Sequence, residues 1–222
     1  MSNILVVAPH ADDETLGCGG TLLRYKSEGH SIHWLIVTGM TEKAGFTTAR
    51  IEKRQEEINL VSNSFGFSSV HELNLPPATL ESLPLGEIIG GISKVMSIVK
   101  PEVVFVPYRN DAHSDHEIVF DAAMSATKSF RYPFIKKLLA YETISETDFG
   151  LKPEDGGFRP NVFVNITHFL SQKLNILDVF ESEMGAFPFP RSRKALEALA
   201  SLRGVQCNCH AAEAFMLIKE IS

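Results

Sequence analysis

The chain has 222 residues, 44% of them hydrophobic and 22% charged, which excludes a disordered, collagen-like or low-complexity protein. That length suits one large α/β domain, residues 1–222, better than two ordinary ones. Lys and Arg number 21 against 27 Asp and Glu, a net charge of −6, and this argues against nucleic acid as a partner because phosphate binding needs a basic face.

In chain order, apolar runs alternate with helical patterns. Residues 4–8 read as a buried strand without a polar interruption. Residues 16–28 read as a helix, with Gly19 and Gly20 small enough to pack closely on a sheet and Gly29 at the expected C-terminal cap. A second strand is expected over 31–38, a helix over 50–65 and a third strand over 70–75. Ile88, Ile92, Val95, Met96 and Val99 mark an amphipathic helix that Pro101 terminates. Residues 103–106 form an uninterrupted apolar strand, as a central parallel strand would be, and a helix begins near His116. Farther on, strands are expected at 138–142, 161–166 and 214–218, and helices at 167–181 and 191–202. Residues 148–160, rich in Gly, Pro and Asp, read as an exposed loop and a candidate lid. This βαβα rhythm predicts a Rossmann-like three-layer α/β fold with a mostly parallel sheet. Ligands in such folds bind beyond the carboxyl ends of the strands.

No apolar run reaches the roughly 18 to 20 residues of a membrane span. Residues 3–7 read as a strand rather than a signal peptide. Three cysteines, Cys18, Cys207 and Cys209, are too few for a disulfide framework, so a reducing, cytoplasmic setting is expected.

Two clusters carry chemistry. The first strand ends in Pro9-His10-Ala11-Asp12-Asp13-Glu14, and the fourth in Asn110-Asp111-Ala112-His113-Ser114-Asp115-His116. If those strands are neighbours, the clusters meet at the ligand end of the sheet. Imidazole and carboxylate together suit a divalent metal such as zinc. His10 and Asp13, three residues apart across a strand-to-helix turn, can converge, and His116 can supply a third ligand. Asp12 then faces away from its neighbour and can act as general base on an activated water. His113 can stabilise developing negative charge or protonate the leaving group. Asp115 is expected to accept a hydrogen bond from His113 and raise its pKa. A purely structural reading competes with this, because carboxylates and histidines also cap helix starts. Gly17-Cys18-Gly19-Gly20 matches neither a dinucleotide fingerprint nor a P-loop, so close helix packing explains it better than phosphate binding.

These motifs resemble those of the PIG-L/LmbE-like family of metal-dependent N-acetylglucosaminyl de-N-acetylases. Ala11 and Ser114 replace prolines usual in the family's Ala-His-Pro-Asp-Asp-Glu and His-Pro-Asp-His motifs, and every functional side chain is kept. Arg54, Glu57, Phe65-Gly66, Arg203-Gly204 and Ala212-Glu213-Ala214-Phe215 extend the resemblance along the chain. It implies His10, Asp13 and His116 as ligands to zinc, or iron(II) in some members. It also implies Asp12 as base, and His113, supported by Asp115, at the oxyanion and leaving amine. The activity implied is removal of an N-acetyl group from a small-molecule amino-sugar conjugate, releasing acetate and a free amine. Alternatives are a metal-dependent esterase using the same site and a silent sugar- or nucleotide-binding protein. A homo-oligomer stays open.

Other residues carry two readings each. Arg54 either reaches a substrate phosphate or hydroxyl, or pairs with Glu57. Arg109 and Asp111 either contact a sugar or are solvated. Tyr141, Glu142, Ser145 and Glu146 follow a strand and are candidate pocket residues. Cys207-Asn208-Cys209-His210 looks metal-like but lacks the second half of a structural zinc site, which favours a buried segment. His30, His33, His71 and His168 have no chemical context, and Phe187-Pro188-Phe189-Pro190 is either a lid edge or packing.

Overall fold

A computed structural model of the protein describes residues 1–150 and 156–222. One sheet contains β1 (Asn3–Ala8), β2 (Ser31–Thr38), β3 (Ser69–Leu75), β4 (Val103–Pro107), β5 (Lys137–Tyr141), β6 (Val162–Asn165) and β7 (Ala212–Glu220). Their order is β3-β2-β1-β4-β5-β7-β6. Neighbouring pairs from β3 to β5 are parallel, and β7 runs antiparallel to both β5 and β6. The mostly parallel α/β fold expected from the strand–helix rhythm is therefore the one observed.

Alternation along each strand divides the core. Ile4, Val6 and Ala8 of β1 face one side with Ile32, Trp34 and Phe105. There they pack on α1 (Asp13–Ser27), α2 (Thr48–Phe65), α5 (Leu170–Leu177) and α6 (Arg193–Gln206). Leu5 and Val7 face the other side, against α3 (Leu85–Val99) and α4 (Ser114–Ser125). Both faces of the central strands are covered, which is why those strands read as continuous apolar runs.

Helix α1 starts at Asp13, earlier than the apolar pattern implied. Its opening carboxylates, Asp13 and Glu14, favour the positive end of the helix dipole. The glycines that admit close packing are Gly17, pressed on the Tyr141 ring, and Gly20, where a Cβ would lie 2.7 Å from Ile166; Gly19 instead faces Lys173 of α5. Helix α5 is shorter than the expected 167–181. Val179 and Phe180 donate to the carbonyls three residues back, tightening the chain into a turn. No helix among the described residues is long and apolar enough to cross a membrane.

Chain order leaves β1 for β2 on one side and later brings β4 to its other side. The direction of winding switches between β1 and β4, and a crevice is expected there. Both motifs follow these two strands.

Candidate active site

The β1–α1 turn supplies His10 and Asp12 and the start of α1 Asp13; the β4–α4 loop supplies Asp111 and His113, and the first turn of α4 supplies Asp115 and His116. Asp13 Oδ2 lies 3.2 Å from His10 Nδ1 and 3.3 Å from His116 Nε2. Ligand atoms of His10, Asp13 and His116 lie within 4.8 Å of one another, a group that could hold a metal ion. Asp13 Oδ1 and His116 Nε2 are buried without a hydrogen-bond partner among the described residues. Orphaned polar atoms of this kind are costly unless something occupies the space between them, and an ion does so.

Each of these histidines is oriented by a carboxylate on its far side. His116 Nδ1 is 2.7 Å from Asp111 Oδ2, and Thr147 Oγ1 donates to Asp111 Oδ1 at 2.6 Å. His10 Nε2 is 3.0 Å from Asp115 Oδ2, which also accepts the Ala78 N–H at 2.7 Å. This leaves His10 Nδ1 and His116 Nε2 facing Asp13, an arrangement typical of metal-ligating histidine. A second candidate group, His10, His113 and Asp115, shares His10. It fits an ion less well, because the Asp115 carboxylate is already engaged by His10, Ala78 and Leu80.

The structure corrects one expectation. The Asp115 side chain does not hydrogen-bond to His113: Asp115 Oδ2 and His113 Nδ1 are 3.9 Å apart. Instead His113 caps α4, its Nδ1 accepting the Asp115 backbone N–H at 3.1 Å. Burial and the nearby His10 lower the His113 pKa rather than raise it. The neutral ring then carries its proton on Nε2.

Charges within the cluster are strongly coupled. Burial works against charge on His10 and His116, but the facing carboxylates win, raising them to about 9 and about 10. Burial likewise opposes the Asp13 charge, yet His116 and His10 hold its carboxyl well below the usual range. Asp12 is pushed up to about 7 by burial and by the Asp13 charge, with Arg191 opposing. Its backbone is held at φ 156° and ψ −26°, an unusual conformation of the kind found at functional turns. The Asp12 N–H donates to His10 O and to Glu14 Oε2, both at 3.1 Å.

Above the cluster opens a cavity of about 290 Å³ lined by His10, Asp12 and His113 together with Met40, Phe46, Ile51, Arg54, Gln55, Ile58, Glu72, Asn74, Glu183 and Arg191. Arg54 is in its wall and also pairs with Glu57, 3.0 Å away. Arg109 is paired outward with Glu117 and Asp121. Tyr141 and Glu142 lie elsewhere: the Tyr141 hydroxyl donates to Val7 O, and Glu142 pairs with Arg203. Ser145 and Glu146 stand behind Arg191, the first accepting from its Nε at 2.8 Å.

Two roles escaped the sequence. Asp111, weighed only as a sugar contact or a solvated group, is buried against His116; its place five residues before that histidine, in the same loop, was the available signal. Arg191, whose Nη1 donates to Asp12 Oδ2 at 2.7 Å, comes from 179 residues away and had no local signal. Cys207 and Cys209 are half-buried with their sulfurs 3.4 Å apart, and Asn208 and His210 are exposed, so the segment is not the buried one expected. The candidate lid 148–160 falls partly outside the described residues; of its described part, Phe158 packs edge-on to Tyr108.

The family model described as "GlcNAc-PI de-N-acetylase" (PIG-L) matches residues 5–127, more than half of the chain, and the chain belongs to this family. It is 30% identical over 147 residues to the "Uncharacterized deacetylase YaiS" of Escherichia coli K12, covering 64% of this chain and 74% of the relative. It is 25% identical over 193 residues to the "Probable N-acetyl-alpha-D-glucosaminyl L-malate deacetylase 2" of Bacillus anthracis, covering 82% and 81%. The crystal structure of the conserved protein TT1542 from Thermus thermophilus superposes with a TM-score of 0.80 at 28% identity, covering 100% of this chain and 97% of that one. The chain is thus a member of a family of enzymes that hydrolyse N-acetyl groups.

Proposed function

We propose that the protein is a zinc-dependent hydrolase that removes the N-acetyl group from a small-molecule amino-sugar conjugate. The observation that carries this reading is the pair of buried atoms Asp13 Oδ1 and His116 Nε2, without a hydrogen-bond partner among the described residues, beside His10 Nδ1. Two imidazoles and a carboxylate are a donor set suited to zinc, with iron(II) the alternative. His10, Asp13 and His116 would hold the ion. When bound, it supplies Lewis-acid activation of water and of the acetyl carbonyl.

The chain's own residues do the rest. Asp12, buried next to the ligand cluster, takes the proton from the attacking water. His113, with Nδ1 committed to the α4 backbone, offers its Nε2–H to the oxygen on which negative charge develops. Asp115 and Asp111 fix the rings of His10 and His116 and so act as positioning residues. Asp12 then passes that proton to the leaving nitrogen, and acetate and a free amine leave.

The test is acetate release from N-acetylated amino sugars, free, glycosidic and nucleotide-linked, with zinc-loaded protein and with His116→Ala as control. Release that disappears in the control supports the reading. Absence of release from every sugar by protein shown to contain zinc rejects it.

A further inference from the structure

We propose that the amino-sugar conjugate taken by this cavity carries an uncharged substituent and that phosphate- or carboxylate-bearing conjugates are disfavoured. This rests on the reading above that the cavity takes an N-acetylated amino sugar.

Arg54 and Arg191 bring the guanidinium groups found on the cavity wall among the described residues. Neither is available to an anion. Arg54 is held by Glu57 at 3.0 Å, by Glu183 at 2.6 Å and by the Ala11 carbonyl at 2.9 Å. Arg191 is held by Asp12 at 2.7 Å, by Glu146 at 3.3 Å and by Glu183 at 3.4 Å, with Ser145 accepting from Nε. Asp12 and Glu183, two of the carboxylates that hold them, line the cavity themselves. Burial opposes the Glu183 charge, but Arg54 holds its carboxyl below the usual range.

Glu72 adds a further carboxylate to the wall, accepting from the neutral Gln55 amide at 3.2 Å. Across from these polar groups the lining turns apolar, with Phe46, Ile51 and Ile58. An apolar wall beside amides and a carboxylate acceptor suits a pyranose, which offers a C–H face and hydroxyl donors. The Arg50 guanidinium lies 5.2 Å from the Phe46 ring centroid and does not line the cavity. A phosphate or carboxylate entering here would meet the Glu72 and Glu183 carboxylates and arginines already engaged by carboxylates.

The test compares kcat/KM for acetate release by zinc-loaded protein at low ionic strength. Uncharged substrates are N,N′-diacetylchitobiose and methyl N-acetylglucosaminide; anionic ones are N-acetylglucosamine 1-phosphate and the malate glycoside. The expected preference for the uncharged pair is about tenfold or more, the effect of one like charge a few ångströms away at intermediate dielectric. Glu72→Gln should narrow that ratio, and added salt should narrow it too. Equal or better turnover of the anionic pair overturns this inference and leaves the deacetylase reading standing. Binding of the same four sugars to metal-free protein gives a readout that needs no turnover. Tighter or equal binding of the anionic sugars overturns the inference even if no acetate is released, whereas no release from any sugar, despite bound zinc, rejects the deacetylase reading itself.

Discussion

Arg191 Nη1 lies 2.7 Å from Asp12 Oδ2, joining the segment before α6 to the turn after β1. Asp12 is buried and Arg191 half-buried, their side chains 4% and 16% exposed. Arg191 precedes the helix because Ser192 takes the N-cap, accepting the Ala195 N–H at 3.3 Å. Its side chain is therefore directed back to the site rather than along α6. The guanidinium orients the Asp12 carboxylate and opposes the rise in its pKa. Arg191→Ala should lower kcat by roughly 10- to 100-fold, the cost of a mispositioned catalytic group. Zinc content should stay at the parent level, since Arg191 touches no ligand residue. Measuring kcat, KM and zinc stoichiometry together checks this; loss of zinc in parallel with activity would reassign Arg191 to site assembly.

Asp12→Ala separates binding of the ion from chemistry. Asp12 is adjacent to Asp13, but its carboxylate belongs to Arg191 rather than to the ligand cluster. The variant should retain zinc and lose roughly 10²- to 10⁴-fold in kcat, the range for removal of a general base. Elemental analysis and single-turnover acetate release check both halves. Comparable turnover in the variant would remove Asp12 from the mechanism.

Asp111→Asn addresses the carboxylate behind His116. The buried carboxylate accepts from the ring and from Thr147, so replacing it weakens the hold on the ring orientation. Zinc affinity should fall about 10- to 100-fold, as for other partners of this kind. Competition with a chromophoric chelator reads it directly. Asp121→Asn, altering a carboxylate paired outward with Arg109, should leave affinity unchanged.

How much of this was legible in the sequence depended on range. Strands β1 and β4 announced themselves because both faces are buried, leaving apolar runs with nothing polar between. Their adjacency was only a condition in the sequence; the pairing of β1 with β4 supplies it, and with it the meeting of His10 and Asp13 with His116. The partner of Asp115 was not legible. Residues 113 and 115 are close in sequence, which suggested that their side chains meet. Helix geometry instead gives His113 the backbone N–H of Asp115 and turns the carboxylate toward His10. Nor was Arg191 legible, since an isolated arginine after a proline-rich stretch has no periodicity to mark it.

Gly20 was expected to pack closely, and its neighbour gives the expectation a value. A Cβ there would meet three atoms of the Ile166 side chain at 2.7–2.8 Å. Ile166 is fully buried and cannot swing into solvent. Gly20→Ala should therefore destabilise the fold by about 1–3 kcal/mol despite alanine's better helix propensity. Urea unfolding measures it, and Gly86→Ala, with nothing within 4 Å of the added Cβ, is the matched control. Equal stability of the two variants would show that α1 can move off Ile166.

His33 and His71 define an acid-sensitive point on the opposite part of the sheet. Ser69 Oγ lies 2.8 Å from His33 Nδ1 and 2.9 Å from His71 Nε2, so one hydroxyl bridges the two rings. Burial, His71 and Lys26 lower the His33 pKa below its ordinary 6.5, and burial lowers that of His71. His33 Nε2 is buried without a partner, and a charged ring would have to place an N–H there unbonded. For a base with a depressed folded pKa, the unfolded chain binds more protons below 6.5. Stability from these groups is thus present in full above pH 6.5 and declines as pH falls below it. Thermal unfolding of zinc-loaded protein should show a lower Tm at pH 5.5 than at pH 7.5, and His71→Asn should flatten that difference. Because an asparagine side chain does not titrate, the substitution also removes the charge facing His33. An undiminished pH dependence in this variant would locate the acid sensitivity elsewhere.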